Sequence, residues 1–139
     1  MNALKPLHDD VSGSQKTRFQ RIVVKLFGDV YLSQSLKTQL AQRPKTWGLG
    51  LWPDIETERV AKICAECLSQ NFGCRDDKLI PDDPLDLIVA IDPSYYLDDF
   101  AVVEIMREFD CDLDPTSYQG GTFGDLVKAV MEARGQKGK

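Results

Sequence analysis

Two apolar stripes constrain this chain more than any other feature. Val60, Ile63, Cys64, Cys67 and Leu68 fall at i, i+3, i+4, i+7 and i+8, and Phe123, Leu126, Val127, Val130 and Met131 repeat the same spacing. On a helix of 3.6 residues per turn each set forms one continuous face. Start and stop signals flank both stripes. Asp54 follows Pro53 as an N-cap, Gly73 ends the first helix, and Thr122 caps the second with Asp125 in its first turn. A third stripe, Val102, Ile105, Met106 and Phe109, gives a helix with signals from Leu97 that ends before Pro115. A one-faced helix is marginal alone, so the three must bury their stripes against one another. The fold class is therefore all-α, a small helical bundle.

The remaining segments are less decisive. From Cys74 to Tyr96 runs a connection rich in Asp and Pro, interrupted by the apolar run Leu85 to Ile91, which fits a buried strand or a short helix equally. Pro81, Pro84 and Pro93 frame it as a short excursion. Near the N-terminus, the apolar positions 19, 22, 23, 26, 27 and 30 favour a helix, although Gly28-Asp29 also fits a hairpin turn. A further short helix is expected from Ser33 to Gln42, stopped by Pro44. Trp47 to Pro53 reads as a linker pinned by two tryptophans, and residues 1 to 17 as a mobile lead-in without an apolar period. The resulting division is an N-terminal, helical extension and linker over 1–53 and a helical domain over 54–139.

The net charge of −5 conceals an asymmetry. Residues 1–53 hold eight Lys or Arg against three acids, and the remainder holds nine against nineteen. A basic segment can contact nucleic acid or a membrane surface. Here, however, the bases are scattered from Lys5 to Lys45 without a tight run or interleaved aromatics, so the expectation is no nucleic-acid and no membrane partner, with the basic part resting on the acidic half. No apolar run reaches the roughly 20 residues of a membrane span, and the first ten residues lack a signal core, which points to the cytoplasm.

Catalytic and metal motifs are sparse. The single histidine, His8, lies in the lead-in, so a nucleophile–histidine pair has no base. Cys64 and Cys67 share a CxxC spacing, yet both lie on the apolar stripe and have no second pair, so buried thiols are expected instead of zinc or redox chemistry. Asp112-Leu-Asp114-Pro-Thr116 matches the Asp-x-Asp-x-Thr signature of metal-dependent phosphohydrolases, but an amphipathic helix precedes it where that chemistry needs a buried strand. The acid pairs Asp76-Asp77, Asp82-Asp83 and Asp98-Asp99 read as solvated loop charge, since adjacent side chains diverge. No enzyme, metal or cofactor is expected.

The order of a helix, a long acidic loop, a helix ending in Glu108-Phe-Asp-Cys-Asp-Leu113 and a terminal helix introduced by Thr122-Phe-Gly-Asp-Leu-Val127 resembles the acyl carrier protein family over roughly residues 55 to 133. The resemblance implies a carrier-like bundle. It also implies a phosphopantetheine arm on a serine opening the second of these helices, but the triplet resembling the family's Asp-Ser-Leu reads Asp98-Asp99-Phe100 here. A carboxylate cannot accept the arm. An ungapped match back from Phe109 puts Tyr95 at the serine position, with Ser94 one residue away. The leading expectation is a non-enzymatic interaction domain whose Asp98, Asp99, Glu104 and Glu108 present an acidic helix face to a protein partner with a basic patch. The alternatives are a divergent acyl or aminoacyl carrier modified on Ser94 and, third, a phosphohydrolase using Asp112 and Asp114.

Overall fold

The computed structural model describes residues 4–9, 18–92 and 101–137, with side chains from 30 onward in the first helix and to 135 in the last. Among the described residues there are five α-helices and no strands: α1 (Arg18–Ala41), α2 (Ile55–Phe72), α3 (Leu85–Ala90), α4 (Val102–Phe109) and α5 (Phe123–Lys137). Short 3-10 turns occupy Asp76–Lys78 and Pro115–Ser117. The chain is all-α. No helix among the described residues is long and apolar enough to cross a membrane.

The central helix α2 packs against α5, α4 and α3, while α1 lies on α3. Its ends follow from the sequence. Asp54 accepts the Thr57 N–H at 2.7 Å, and Glu56 and Glu58 sit in the positive first turn. At the other end Gly73 takes φ 69° and donates its N–H to the Ser69 carbonyl, a left-handed cap that a Cβ would strain. Between these caps Val60, Ala61, Cys64, Ala65, Cys67, Leu68 and Phe72 are buried.

Helix α5 opens with a reciprocal capping box. The Thr122 N–H donates to Asp125 Oδ2 at 2.9 Å, and the Asp125 N–H donates to Thr122 Oγ1 at 3.2 Å. The next donors find loop carbonyls, Phe123 N–H on Asp83 O and Gly124 N–H on Pro81 O, each 2.8 Å. Contact at Gly124 is so close that an added Cβ would lie 3.0 Å from the Pro81 oxygen. These bonds, with an isolated bridge between Pro84 and Thr122, fasten the loop before α3 across the start of α5.

One open reading is settled and two expectations require correction. First, Leu85 to Ile91, left open between strand and helix, is settled as helix: α3 runs from Leu85 to Ala90 with Ile91 as its C-cap, and Leu85 and Ile88 are buried. Second, the two helices expected between Phe19 and Gln42 are one, because nothing at Gly28-Asp29 interrupts the ladder of α1; among its described side chains, from 30 onward, Leu36 and Leu40, one turn apart, are buried. Third, residues 4–9 are not a loose lead-in. Leu7 is only 2% exposed and shares one apolar core with Leu36, Leu40, Leu68, Phe72, Leu85 and Phe123. A single anchor has no period, which is why the pattern around it looked structureless.

Both tryptophans of the Trp47 to Pro53 segment are partly buried against the core. Trp52 sets its ring edge-on to Phe123 with centroids 5.6 Å apart, and Lys62 Nζ stands 5.9 Å over Trp47. Leu49, Leu51 and Ile55 beside them remain exposed.

Candidate functional site

Helix α4 buries Val102 and Ile105, which turns Glu104, Arg107 and Glu108 toward the outside. Glu104 and Glu108 are four residues apart and stack on one face. Across from them α2 presents Ile63, Glu66, Cys67 and Gln70, spaced i, i+3, i+4 and i+7, and the two helices bound an open groove of about 340 Å³. Three carboxylates and one guanidinium thus converge from two elements. Asn71 fixes one of them: its Nδ2 donates to the Cys67 carbonyl at 2.8 Å and to Glu104 Oε2 at 3.4 Å.

The field of this groove reaches the thiol at its floor. Burial first, then Glu104, Glu108 and Glu66, push the Cys67 thiol up to about 11. Burial likewise lifts Cys74 to about 12 and raises Cys64 further. All four cysteines are buried. Held protonated at neutral pH, the Cys64, Cys67 and Cys74 thiols act as small apolar groups and make poor nucleophiles. Among the described residues no three His, Cys, Asp or Glu side chains are grouped to hold a metal ion.

Of the residues singled out in the sequence, Glu104 and Glu108 meet in this groove, whereas Ser94, Asp98 and Asp99 lie outside the described residues. Asp112 and Asp114 have different surroundings. Asp112 lines a separate groove with Arg107 and Asp110, while Asp114 is exposed and caps the Pro115–Ser117 turn, accepting from the Thr116 N–H at 3.0 Å and its hydroxyl at 2.8 Å. Those bonds, backbone first, hold its carboxyl below the usual range. The motif's aspartate–threonine spacing is thereby accounted for by a local turn.

Sequence reasoning missed the most elaborate polar cluster. Asp83, expected as solvated charge, has no exposed side-chain surface, and its carboxylate faces Arg43 at 2.7 Å. Arg43 donates through Nη1 to Asp83 Oδ2 at 2.8 Å and to the Lys78 carbonyl at 2.8 Å, and through Nη2 to Asp83 Oδ1 and to the Lys5 carbonyl at 2.6 Å. The Arg43 carbonyl accepts from Lys78 Nζ. Glu66, also missed, flanks the α2 stripe beside Cys67, and nothing local in the sequence ties it to α4. Comparison with protein families, characterised proteins and solved structures finds no match to this chain.

Proposed function

We propose that this protein is a non-enzymatic, carrier-like helical domain that engages a protein partner bearing a basic patch through the acidic face of α4. The observation that carries the reading is the convergence of Glu66, Glu104 and Glu108 on one open groove between α2 and α4. An acidic groove attracts a cationic patch and orients its approach, while its apolar floor of Ile63 and the Cys67 side gives that patch something to desolvate against. Asp98 and Asp99 extend the same acidic sequence toward the start of the helix. The resemblance to acyl carrier proteins supports the reading through the order α2, long connection, α4, α5 and through the two motifs at Glu108 and Thr122. It does not supply the arm: the triplet Asp98-Asp99-Phe100 offers no hydroxyl, so no step is assigned to phosphopantetheine.

The test is site-specific photo-crosslinking in cells of the native host, with the photo-reactive residue at Gln70 on the groove edge and, as control, at exposed Lys128 on α5. A protein captured from Gln70 but not from Lys128, and lost in Glu104→Lys/Glu108→Lys, supports the reading. Capture that survives the charge reversal overturns it. Intact mass of the same preparation addresses the carrier alternative, because a phosphopantetheine adduct that disappears in Ser94→Ala would assign the chain to a true carrier.

A further inference from the structure

The N-terminal segment is held as a receptor holds a peptide. Residues 4–9 form no helix; Leu7 is buried and Leu4 half-buried, while Lys5, Pro6, His8 and Asp9 face solvent. Three side chains grip the backbone around this anchor. Asp83 Oδ1 accepts the Leu7 N–H at 2.9 Å, Arg43 Nη2 donates to the Lys5 carbonyl, and Gln39 takes both polar groups of His8, accepting its N–H at 3.1 Å and donating to its carbonyl at 2.9 Å. Main-chain bonds with one side-chain pocket are how extended peptides are recognised.

The slot is also organised independently of what fills it. Arg43 and Asp83 pair through two hydrogen bonds, the guanidinium is held by the Lys78 carbonyl, and the second carboxylate oxygen accepts the Ile80 N–H at 2.9 Å. The Asp83 backbone is fixed by Ile80 O and Phe123 N–H. None of these bonds uses residues 4–9, so the donors and acceptors stay aimed when the segment leaves. Preformed sites of this kind spare a ligand the cost of ordering its receptor.

We propose that the slot between the C-terminal half of α1 and the Leu79–Leu85 loop is a peptide-binding site, filled in cis by residues 4–9, and that an extended segment of a partner protein with a leucine anchor exchanges with them. Selectivity rests on the anchor, because the flanking contacts are to backbone. Pro6 before the anchor fixes its own φ and so narrows the conformations the free segment gives up on binding. The tethered occupant competes at the effective concentration of a short linker, so the slot admits a partner only when that partner binds better than the chain's own segment.

The test uses the full chain carrying Leu7→Asp, which expels the segment by placing a carboxylate in an apolar pocket and leaves Arg43, Asp83 and Gln39 in place. The probe is a fluorescein-labelled peptide copying residues 2–9, followed by anisotropy. If the cis segment fills the slot at least nine-tenths of the time, the variant binds the probe at least about tenfold tighter than the unaltered chain. A probe with its own Leu7→Asp does not bind, and adding Gln39→Ala to the chain weakens binding. A variant of native helicity that binds no probe, or binds both probes alike, refutes the proposal. Should Leu7→Asp fail to fold, hydrogen exchange of the unaltered chain decides: the Leu7 and His8 amides must exchange by local opening, at least about a hundredfold faster than the Leu68 and Phe72 amides. Exchange at the core's rate refutes exchangeability. A concentration-dependent dimer with straps traded between copies would assign the slot to a second copy and overturn the partner assignment.

Discussion

Removing the carboxylate of Asp83 is the perturbation from which the structure predicts most. Four donors converge on it: Arg43 Nη1 and Nη2, the Leu7 N–H and the Ile80 N–H. Asp83→Leu leaves a guanidinium that is 7% exposed without a counter-charge. Breaking a buried pair from one side costs about 3–5 kcal/mol, and the carbonyls of Lys5 and Lys78, which keep two guanidinium bonds, place the loss toward the lower end. Against a domain stability of roughly 5–15 kcal/mol, the variant remains folded but weakened. Equilibrium urea unfolding, read by far-ultraviolet circular dichroism and tryptophan fluorescence, gives the number. The decisive comparison is Arg43→Met/Asp83→Leu, which removes both charges. Its loss should fall short of the sum of the two single losses by about 2 kcal/mol, since contacting residues couple by roughly 0.5–3 kcal/mol. Additivity within about 0.5 kcal/mol, or a single-variant loss under about 1 kcal/mol, would refute the argument that Asp83 neutralises a buried charge.

Three further outcomes are expected. Gly124→Ala should destabilise by about 1–3 kcal/mol in the same assay, because the added methyl pushes α5 off the Pro81 turn. Cys67→Ser should cost about 1–3 kcal/mol through a poorly paired hydroxyl on the α2 stripe, with no change in metal content by elemental analysis. Stability should respond to pH at both extremes. The raised thiols keep their contribution below the unfolded cysteine value and lose it as pH climbs from about 9 toward about 11 for Cys67 and about 12 for Cys74. Asp54 and Asp114, both held low by hydrogen bonds from the residues they cap, contribute above the unfolded carboxylate value and lose that contribution as pH falls through their folded values. A stability profile flat at both ends would contradict these assignments.

What could be read from the sequence is what local chemistry encodes. The α2 and α5 stripes, the Asp54 cap, the Gly73 stop and the Thr122–Asp125 box all depend on residues within a few positions of each other, and each forms as expected. Leu85 to Ile91 was undecidable because six helical residues are too few for a period to declare itself. The Arg43–Asp83 pair was invisible for the opposite reason: forty positions separate its members, and Asp82-Asp83 between prolines looks like any solvated loop. At the groove, Glu104 and Glu108 were legible as one helix face, but Glu66 joins them only because α2 crosses beside α4.

The bond from Leu7 to Asp83 spans 76 positions, and that separation sets a schedule during synthesis. Residues 4–9 leave the ribosome long before the loop that will hold them exists. At elongation rates of about 5–20 residues per second the interval is roughly 4–15 s for Leu7 and, over the shorter distance from Leu40 to Asp83, roughly 2–9 s for the buried end of α1. Helix α1 must therefore wait beside the ribosome with its apolar face uncovered. The nascent chain is open to chaperones for that interval, and a substitution at Asp83 would extend the exposure rather than merely weaken the finished fold.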